Sequence, residues 1–146
     1  MNSVDQLQGQ QLLFVYGSLK EGFPNFPVNK GRRVAGTYRT AEACALYVIS
    51  GQLPCLMPAV PGGQQVLGQL FEVNAEELAA MDALERVGEP GGYARSRIML
   101  ERVDMEPTQG LQAFVYTQEA SQLQRPGPHL GPLAEYTQEH AQRLRW

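Results

Sequence analysis

Short apolar runs, separated by glycine and proline, dominate the pattern along the chain. Residues 12–16 (LLFVY) are apolar throughout and predict a buried strand. The runs VAGTYRT (34–40), ALYVI (45–49), VLGQLFEV (66–73), YARSRIMLERV (93–103) and LQAFVYT (111–117) are rich in valine, isoleucine, tyrosine or phenylalanine and predict further strands. Between them, SGQLPCLMPAVPGGQ (50–64) and VGEPGG (87–92) carry the composition of loops and turns. Strands at this spacing with a single helix inserted predict an α+β fold, a small mixed β-barrel or sheet with helices against it. No repeat or linker divides the chain, so 1–146 is read as one domain. The stretch TQEASQLQRPGPHLGP (117–132) predicts irregular chain, after which Leu133, Tyr136, His140 and Leu144 recur at the spacing of a short C-terminal helix. His140 is then a half-buried packing residue.

The central helix brings in the first chemistry. Asn74 is placed to cap its N-terminus, with Glu77 three residues on completing a capping box and Glu76 adding charge that the helix dipole favours. At 100° per residue, Leu78, Met81 and Glu85 fall in one narrow stripe with Asp82 beside it. If the helix reaches that far, the face turned to the core carries a carboxylate. Burying an ionised carboxylate is costly unless it is paired, so Glu85 then has either a compensating partner or a use for a raised pKa. The alternative is a helix that ends at Leu84 and leaves Glu85 at an exposed tip.

Composition narrows the partners. The 146 residues carry a net charge of -3, which leaves no basic footprint for nucleic acid or an anionic membrane. The arginine pairs Arg32–Arg33 and Arg143/Arg145 are too few and too diluted by acids to change that, and read as solvated surface. There is no long apolar run, and the polar start MNSVDQLQGQQ has no basic end or apolar block, so a cytoplasmic protein is expected. Cys44 and Cys55 are the only cysteines, too few for a disulfide framework or a four-thiolate zinc site, and are expected as small core residues. His129 and His140 are the only histidines, which disfavours Ser/His or Cys/His catalysis and a histidine metal cluster.

The segment FVYGSLKEGFPN (14–25) changes abruptly from strand to glycine-punctuated loop. Gly17 and Gly22 have the GxxxxG spacing of a phosphate-binding loop, but Phe23 stands where the lysine should be and Pro24 where the metal-binding hydroxyl should be. Nucleotide binding is therefore excluded. What remains is a strand that turns sharply at Gly17, with the backbone N–H groups of Ser18 and Leu19 freed as a small anion-binding concavity. An ordinary turn between strands is the plainer alternative.

These residues resemble a known family. FVYGSLKEGFPN resembles the YG[ST]L loop of the gamma-glutamylcyclotransferase (AIG2-like) superfamily, and MDALE (81–85) resembles its helical segment ending in the catalytic glutamate. GGYAR (91–95) and AFVYT (113–117) stand where that family has its later strands. The GFPN that follows the loop, YVISGQLPCL and AVPGG are most similar to the gamma-glutamylamine cyclotransferase branch. The resemblance covers about residues 12 to 117, leaving 118–146 as a C-terminal extension. It implies an acyltransferase that works by intramolecular aminolysis, closing 5-oxoproline and releasing a free amine from a small gamma-glutamylamine or related compound. By the same resemblance, Glu85 is the general acid/base, the loop amides of Gly17, Ser18 and Leu19 bind substrate, and no metal or cofactor is needed. Tyr16, Tyr93 and Tyr116 are substrate-binding candidates at strand ends, with half-buried core tyrosines as the alternative. Arg95 and Arg97 are read as exposed strand charges, with a carboxylate partner as the alternative. Ser18 serves through its amide, since no histidine stands near it in the chain to activate a nucleophile. The expected partner is a small gamma-glutamyl molecule, with neither nucleic acid nor membrane, and a monomer is favoured. The competing function is a non-catalytic small-molecule binding module that uses the same cavity with the glutamate as a polar anchor.

Overall fold

The computed structural model describes residues 11–51, 53–58, 62–104 and 110–143. These residues form seven strands: β1 Gln11–Val15, β2 Arg32–Thr40, β3 Ala45–Ile49, β4 Leu53–Met57, β5 Leu67–Val73, β6 Ala94–Arg102 and β7 Gly110–Thr117. Helix α1 spans Ala75–Leu84 and helix α2 Gln138–Arg143, with short 3-10 turns at Phe26–Val28 and Ala120–Gln124. Five strands close a barrel in the order β1-β5-β2-β6-β7, and β3 and β4 form a separate two-stranded sheet. Every barrel pair is antiparallel except β1 with β7, where Leu13 pairs with Phe114 and the barrel closes.

Alternation along β1 divides the core. Phe14 and Tyr16 face the cluster inside the barrel, with Tyr38, Leu70, Leu100 and Val115, while Leu13 and Val15 face outward under α1, with Phe71, Val73, Leu78 and Met81. Strand β1 is thus buried on both faces, which is why its sequence is an unbroken apolar run. The capping box of α1 is complete: the Glu77 N–H donates to Asn74 Oδ1 at 2.8 Å and the Asn74 N–H donates to Glu77 Oε1 at 2.8 Å. Asn74→Ala is expected to cost about 1 kcal/mol, read as a lowered denaturant midpoint with an unchanged slope.

Two expectations need correction. LPCLM, read as loop on its prolines and glycines, is strand β4, paired with β3 from Ala45↔Met57 to Ile49↔Leu53. Ser50 and Gly51 turn the chain with positive φ, and Pro54 is tolerated because the sheet has only two strands and its missing N–H falls on an edge. The C-terminal helix begins at Gln138, so Leu133 and Tyr136 precede it. Their segment is drawn out by strand backbone instead: the Leu133 N–H donates to Leu46 O at 2.8 Å, and the Ala134 carbonyl accepts the Leu67 N–H at 2.8 Å. Leu144 lies outside the described residues. His140 packs as expected, half-buried with its ring stacked 5.9 Å from Tyr136, while its Nδ1 accepts the Thr137 N–H. Cys44 and Cys55 are unpaired and buried. Among the described residues no helix is long and apolar enough to cross a membrane.

Candidate active site

The mouth of the site is shaped where β1 ends. After Tyr16 the chain folds back on itself, with the Lys20 N–H donating to Gly17 O at 3.0 Å and the Asn25 N–H donating to Ser18 O at 2.9 Å. Asn25 Nδ2 also donates to Ser18 Oγ at 2.8 Å, and Asn29 Nδ2 holds the Leu19 carbonyl at 3.0 Å. Gly17 presses against Pro54 of β4, where a Cβ would come within 2.9 Å of the ring. These bonds occupy the loop's carbonyls and leave the N–H groups of Ser18 and Leu19 without an acceptor among the described residues.

Glu85 arrives from the other side. Helix α1 ends at Leu84, as the second reading of the sequence had it, yet Glu85 is not exposed. Its φ of -84° continues the helical path as the C-cap, so the side chain keeps its place on the stripe below Leu78 and Met81. Its N–H donates to Met81 O and its carbonyl accepts the Tyr93 N–H, both at 2.9 Å, which pins the residue at each end of the 86–92 loop. The side chain itself accepts no hydrogen bond among the described residues. Burial alone therefore acts on the carboxyl and pushes its pKa from the usual 4.5 to about 7.

A cavity of about 360 Å³ joins the two halves. Tyr16, Gly17, Ser18, Leu19, Glu85, Tyr93 and Tyr116 all line it, so the residues singled out in the sequence come together although they span four parts of the chain. The phenols are not equivalent. Tyr16 donates to the Tyr116 carbonyl at 2.7 Å and accepts the Leu56 N–H at 3.2 Å. Tyr93 donates to the Pro54 carbonyl at 2.8 Å and touches Cys55 Sγ at 3.6 Å. Tyr116 donates to Asp82 Oδ1 at 2.7 Å, and Arg95 Nη1 holds the other oxygen of that carboxylate. Burial pushes all three phenols upward, with Glu85 nearby adding to it, and lifts Cys55 to about 11. Arg95 is thus partnered rather than merely exposed, and its guanidinium lies 4.8 Å from the Phe114 ring centre.

Several lining residues had not been assigned to the site, Asn25, Gln118 and Tyr136 among them. Asn25 sits inside the quoted loop motif, and its spacing from Ser18 is the signal: a side-chain amide there can tie the loop's two ends. Gln118 and Tyr136 come from the tail, where Tyr136 was read only as a helix residue and no local pattern ties either to the site. Tyr136 is held by Lys20, a buried lysine whose Nζ donates to the Tyr136 carbonyl and lies 4.4 Å over the Phe23 ring, with desolvation lowering its pKa to about 8. Among the described residues no group of three His, Cys, Asp or Glu side chains is arranged to hold a metal ion. A buried carboxyl that titrates near neutrality, facing a cavity lined by free backbone amides, can take a proton from a bound ligand and return it.

Comparison with known proteins identifies the family. The family model described as gamma-glutamyl cyclotransferase, AIG2-like, matches residues 13–138. Gamma-glutamylaminecyclotransferase B of Danio rerio is 35% identical over 114 residues, a match spanning 73% of this chain and 58% of that one. Gamma-glutamylaminecyclotransferase of Rattus norvegicus is 33% identical over 117 residues, spanning 72% of this chain and 76% of that one. The crystal structure of an AIG2-like protein from Mus musculus superposes with a TM-score of 0.73 at 27% identity, covering 89% of this chain and 90% of that one. A family model that covers most of the chain, relatives above 30% identity and a superposable fold place it together: the chain belongs to the gamma-glutamyl cyclotransferase, AIG2-like family.

Proposed function

We propose that this chain is a gamma-glutamyl cyclotransferase that releases 5-oxoproline and a free amine from a small gamma-glutamylamine or a related gamma-glutamyl compound. One observation carries the reading: the carboxyl of Glu85, with a pKa near 7, shares a small cavity with the amides of Ser18 and Leu19, none of them paired among the described residues. The substrate's α-amine arrives as an ammonium, and Glu85 accepts one of its protons. The freed amine attacks the γ-carbonyl, forming the lactam C–N bond, while the loop amides donate to the developing oxyanion. Glu85 then returns the proton to the leaving nitrogen as the original amide C–N bond breaks; the second proton, shed by the ring nitrogen as it becomes the lactam N–H, also passes to the amine, which leaves as its ammonium, and the carboxylate is regenerated. Both reacting groups belong to one molecule, so holding it bent supplies much of the rate, as the large effective molarities of intramolecular reactions indicate. A cavity of about 360 Å³ suits a ligand of this size. Two buried unpaired cysteines suit a reducing compartment, and the cytoplasm is the proposed location.

The test is a panel of γ-glutamyl amines, amino acids and peptides, scored for 5-oxoproline and for the released amine in equal amounts. Stoichiometric release from at least one class is expected. Saturable binding of the panel with no 5-oxoproline from any member would make the protein a binding module instead.

A further inference from the structure

Tyr16, Tyr93 and Tyr116 all send their phenolic protons away from the cavity, but only one of the three sends its proton to a side chain. Tyr16 and Tyr93 donate to backbone carbonyls, of Tyr116 and Pro54. Tyr116 donates to Asp82, which lies one helical turn before Glu85 on α1. The two carboxyls are neighbours on the helix surface with opposite treatment. Among the described residues Glu85 has no partner, whereas Asp82 is held on one oxygen by Tyr116 and on the other by Arg95. Arg95 is itself seated, its guanidinium against one Phe114 ring on which Arg97 also lies, at 4.5 Å.

A phenol has one hydrogen to give and lone pairs to receive with. With its hydrogen on Asp82, Tyr116 can offer the cavity only an acceptor. The oxygen of Tyr16 already receives the Leu56 N–H, and that of Tyr93 lies against Cys55 Sγ. Of these three, Tyr116 is therefore the phenol whose oxygen keeps acceptor capacity for a ligand; Tyr136, also in the wall, has no carboxylate fixing its hydroxyl hydrogen among the described residues. Its ring is buried, with 2% of the residue exposed, so the oxygen's direction is set by packing as well as by Asp82. The other titratable groups facing this corner are Tyr16 just after β1, Cys55 from β4, Tyr93 from the segment before β6 and Glu85 from the end of α1. None of them presents a hydrogen to Tyr116.

We propose that Asp82, clamped by Arg95, is a positioning residue that fixes Tyr116 as a hydrogen-bond acceptor in the cavity wall, where it receives an N–H of the substrate's α-ammonium. The inference rests on the γ-glutamyl reading, since such a compound brings an ammonium into the cavity. It gives Asp82 and Glu85 separate tasks: one orients the acceptor that recognises the ammonium, the other takes the proton.

Asp82→Asn removes the carboxylate at nearly constant volume and offers the phenol oxygen a donor, which frees the phenolic hydrogen to turn into the cavity. Tyr116→Phe removes the oxygen and keeps the ring. Calorimetric titration with L-glutamine and with its des-amino counterpart, the half-amide of glutaric acid, reads recognition without needing turnover. The wild-type protein is expected to prefer L-glutamine by roughly tenfold or more, the usual reach of one hydrogen bond to a charged group. That preference should shrink to within about threefold in Asp82→Asn, in Tyr116→Phe and in the double variant, with no further loss in the double, because the two residues act as one unit. In turnover, KM for a γ-glutamyl amine should rise in step while kcat changes less. A wild-type protein with no preference, an Asp82→Asn variant that keeps it, or additive losses in the double variant would overturn the proposal. Preference for L-glutamine without turnover of any γ-glutamyl compound would instead overturn the catalytic reading and leave this one standing.

Discussion

Replacing Glu85 by glutamine is expected to abolish turnover and, above neutral pH, to make the protein more stable. Loss of a positioned acid/base of this kind costs on the order of a hundredfold to ten-thousandfold in rate. The gain in stability comes from the same feature that makes the group useful. Glu85 is half-buried, accepts no hydrogen bond among the described residues, and has its pKa moved from 4.5 to about 7 by burial. Since the folded pKa lies above the unfolded one, the native state holds this proton more tightly than the unfolded chain does. Below pH 4.5 both states are protonated and the position costs nothing. Between 4.5 and 7 the unfolded chain ionises first, and stability falls as pH rises; above 7 the loss is complete, on the order of 3 kcal/mol at 1.36 kcal/mol per unit. Glutamine has no such step. Thermal unfolding should therefore give nearly equal midpoints for the two proteins near pH 4.5 and a higher midpoint for Glu85→Gln at pH 8, by roughly 5–10 °C for a chain of this size. Equal midpoints at both pH values would mean that the carboxyl is solvated, and the proposed base would lose its physical basis. Activity of the wild-type enzyme should mirror the curve, rising with pH through about 7 as the base form fills.

Much of this site could be read from the chain, and the parts that could not share one cause. The Asn74 cap fixed where α1 starts, and a fixed start orients every later side chain on the helix, so Leu78, Met81 and Glu85 could be placed on one stripe from local pattern alone. The helix stops a residue short of Glu85, but a C-cap that stays in the helical region keeps the stripe intact, and the two readings of that carboxyl converge. Strand β4 was hidden because Pro54 and the surrounding glycines carry a loop's composition, whereas what makes it a strand is pairing with β3, a property of two segments. The roles of the phenols were hidden for the same reason. Tyr16, Tyr93 and Tyr116 find their acceptors 100, 39 and 34 residues away, so the direction of each proton depends on the closed barrel. The tail is the extreme case: Tyr136 enters the cavity wall through Lys20 and through strand backbone, neither of which leaves a pattern around residue 136.

Gly92→Ala is expected to damage the site more than the fold, and the reason is a contact rather than a torsion. A Cβ at Gly92 would lie 1.9 Å from the Arg86 carbonyl oxygen and 2.7 Å from its carbon, both backbone atoms that cannot swing aside. The loop from 86 to 92 must open to admit it. That loop closes through the Gly92 N–H on Glu89 O at 3.0 Å, and the next residue bonds the Glu85 carbonyl. Opening it shifts Glu85 and Tyr93 together, one the proposed base and the other bonded through its hydroxyl to Pro54 behind the Gly17 turn. Overpacking of this kind costs about 1–3 kcal/mol of stability. A displacement of about 1 Å at the reacting groups costs on the order of a hundredfold in rate, so kcat/KM should fall much further than the folded fraction does at a temperature where the variant remains folded. Gly88→Ala is the control in the same loop. Gly88 has a φ of +87° and no atom within 4 Å of its would-be Cβ, so alanine there costs about 1–2 kcal/mol through the backbone alone and touches nothing in the cavity. Comparable stability losses with activity lost only in Gly92→Ala would tie the defect to the Arg86 contact. Equal loss of activity in both would show that catalysis depends on the rigidity of the whole loop, and that the close approach at Gly92 has no special part in holding Glu85.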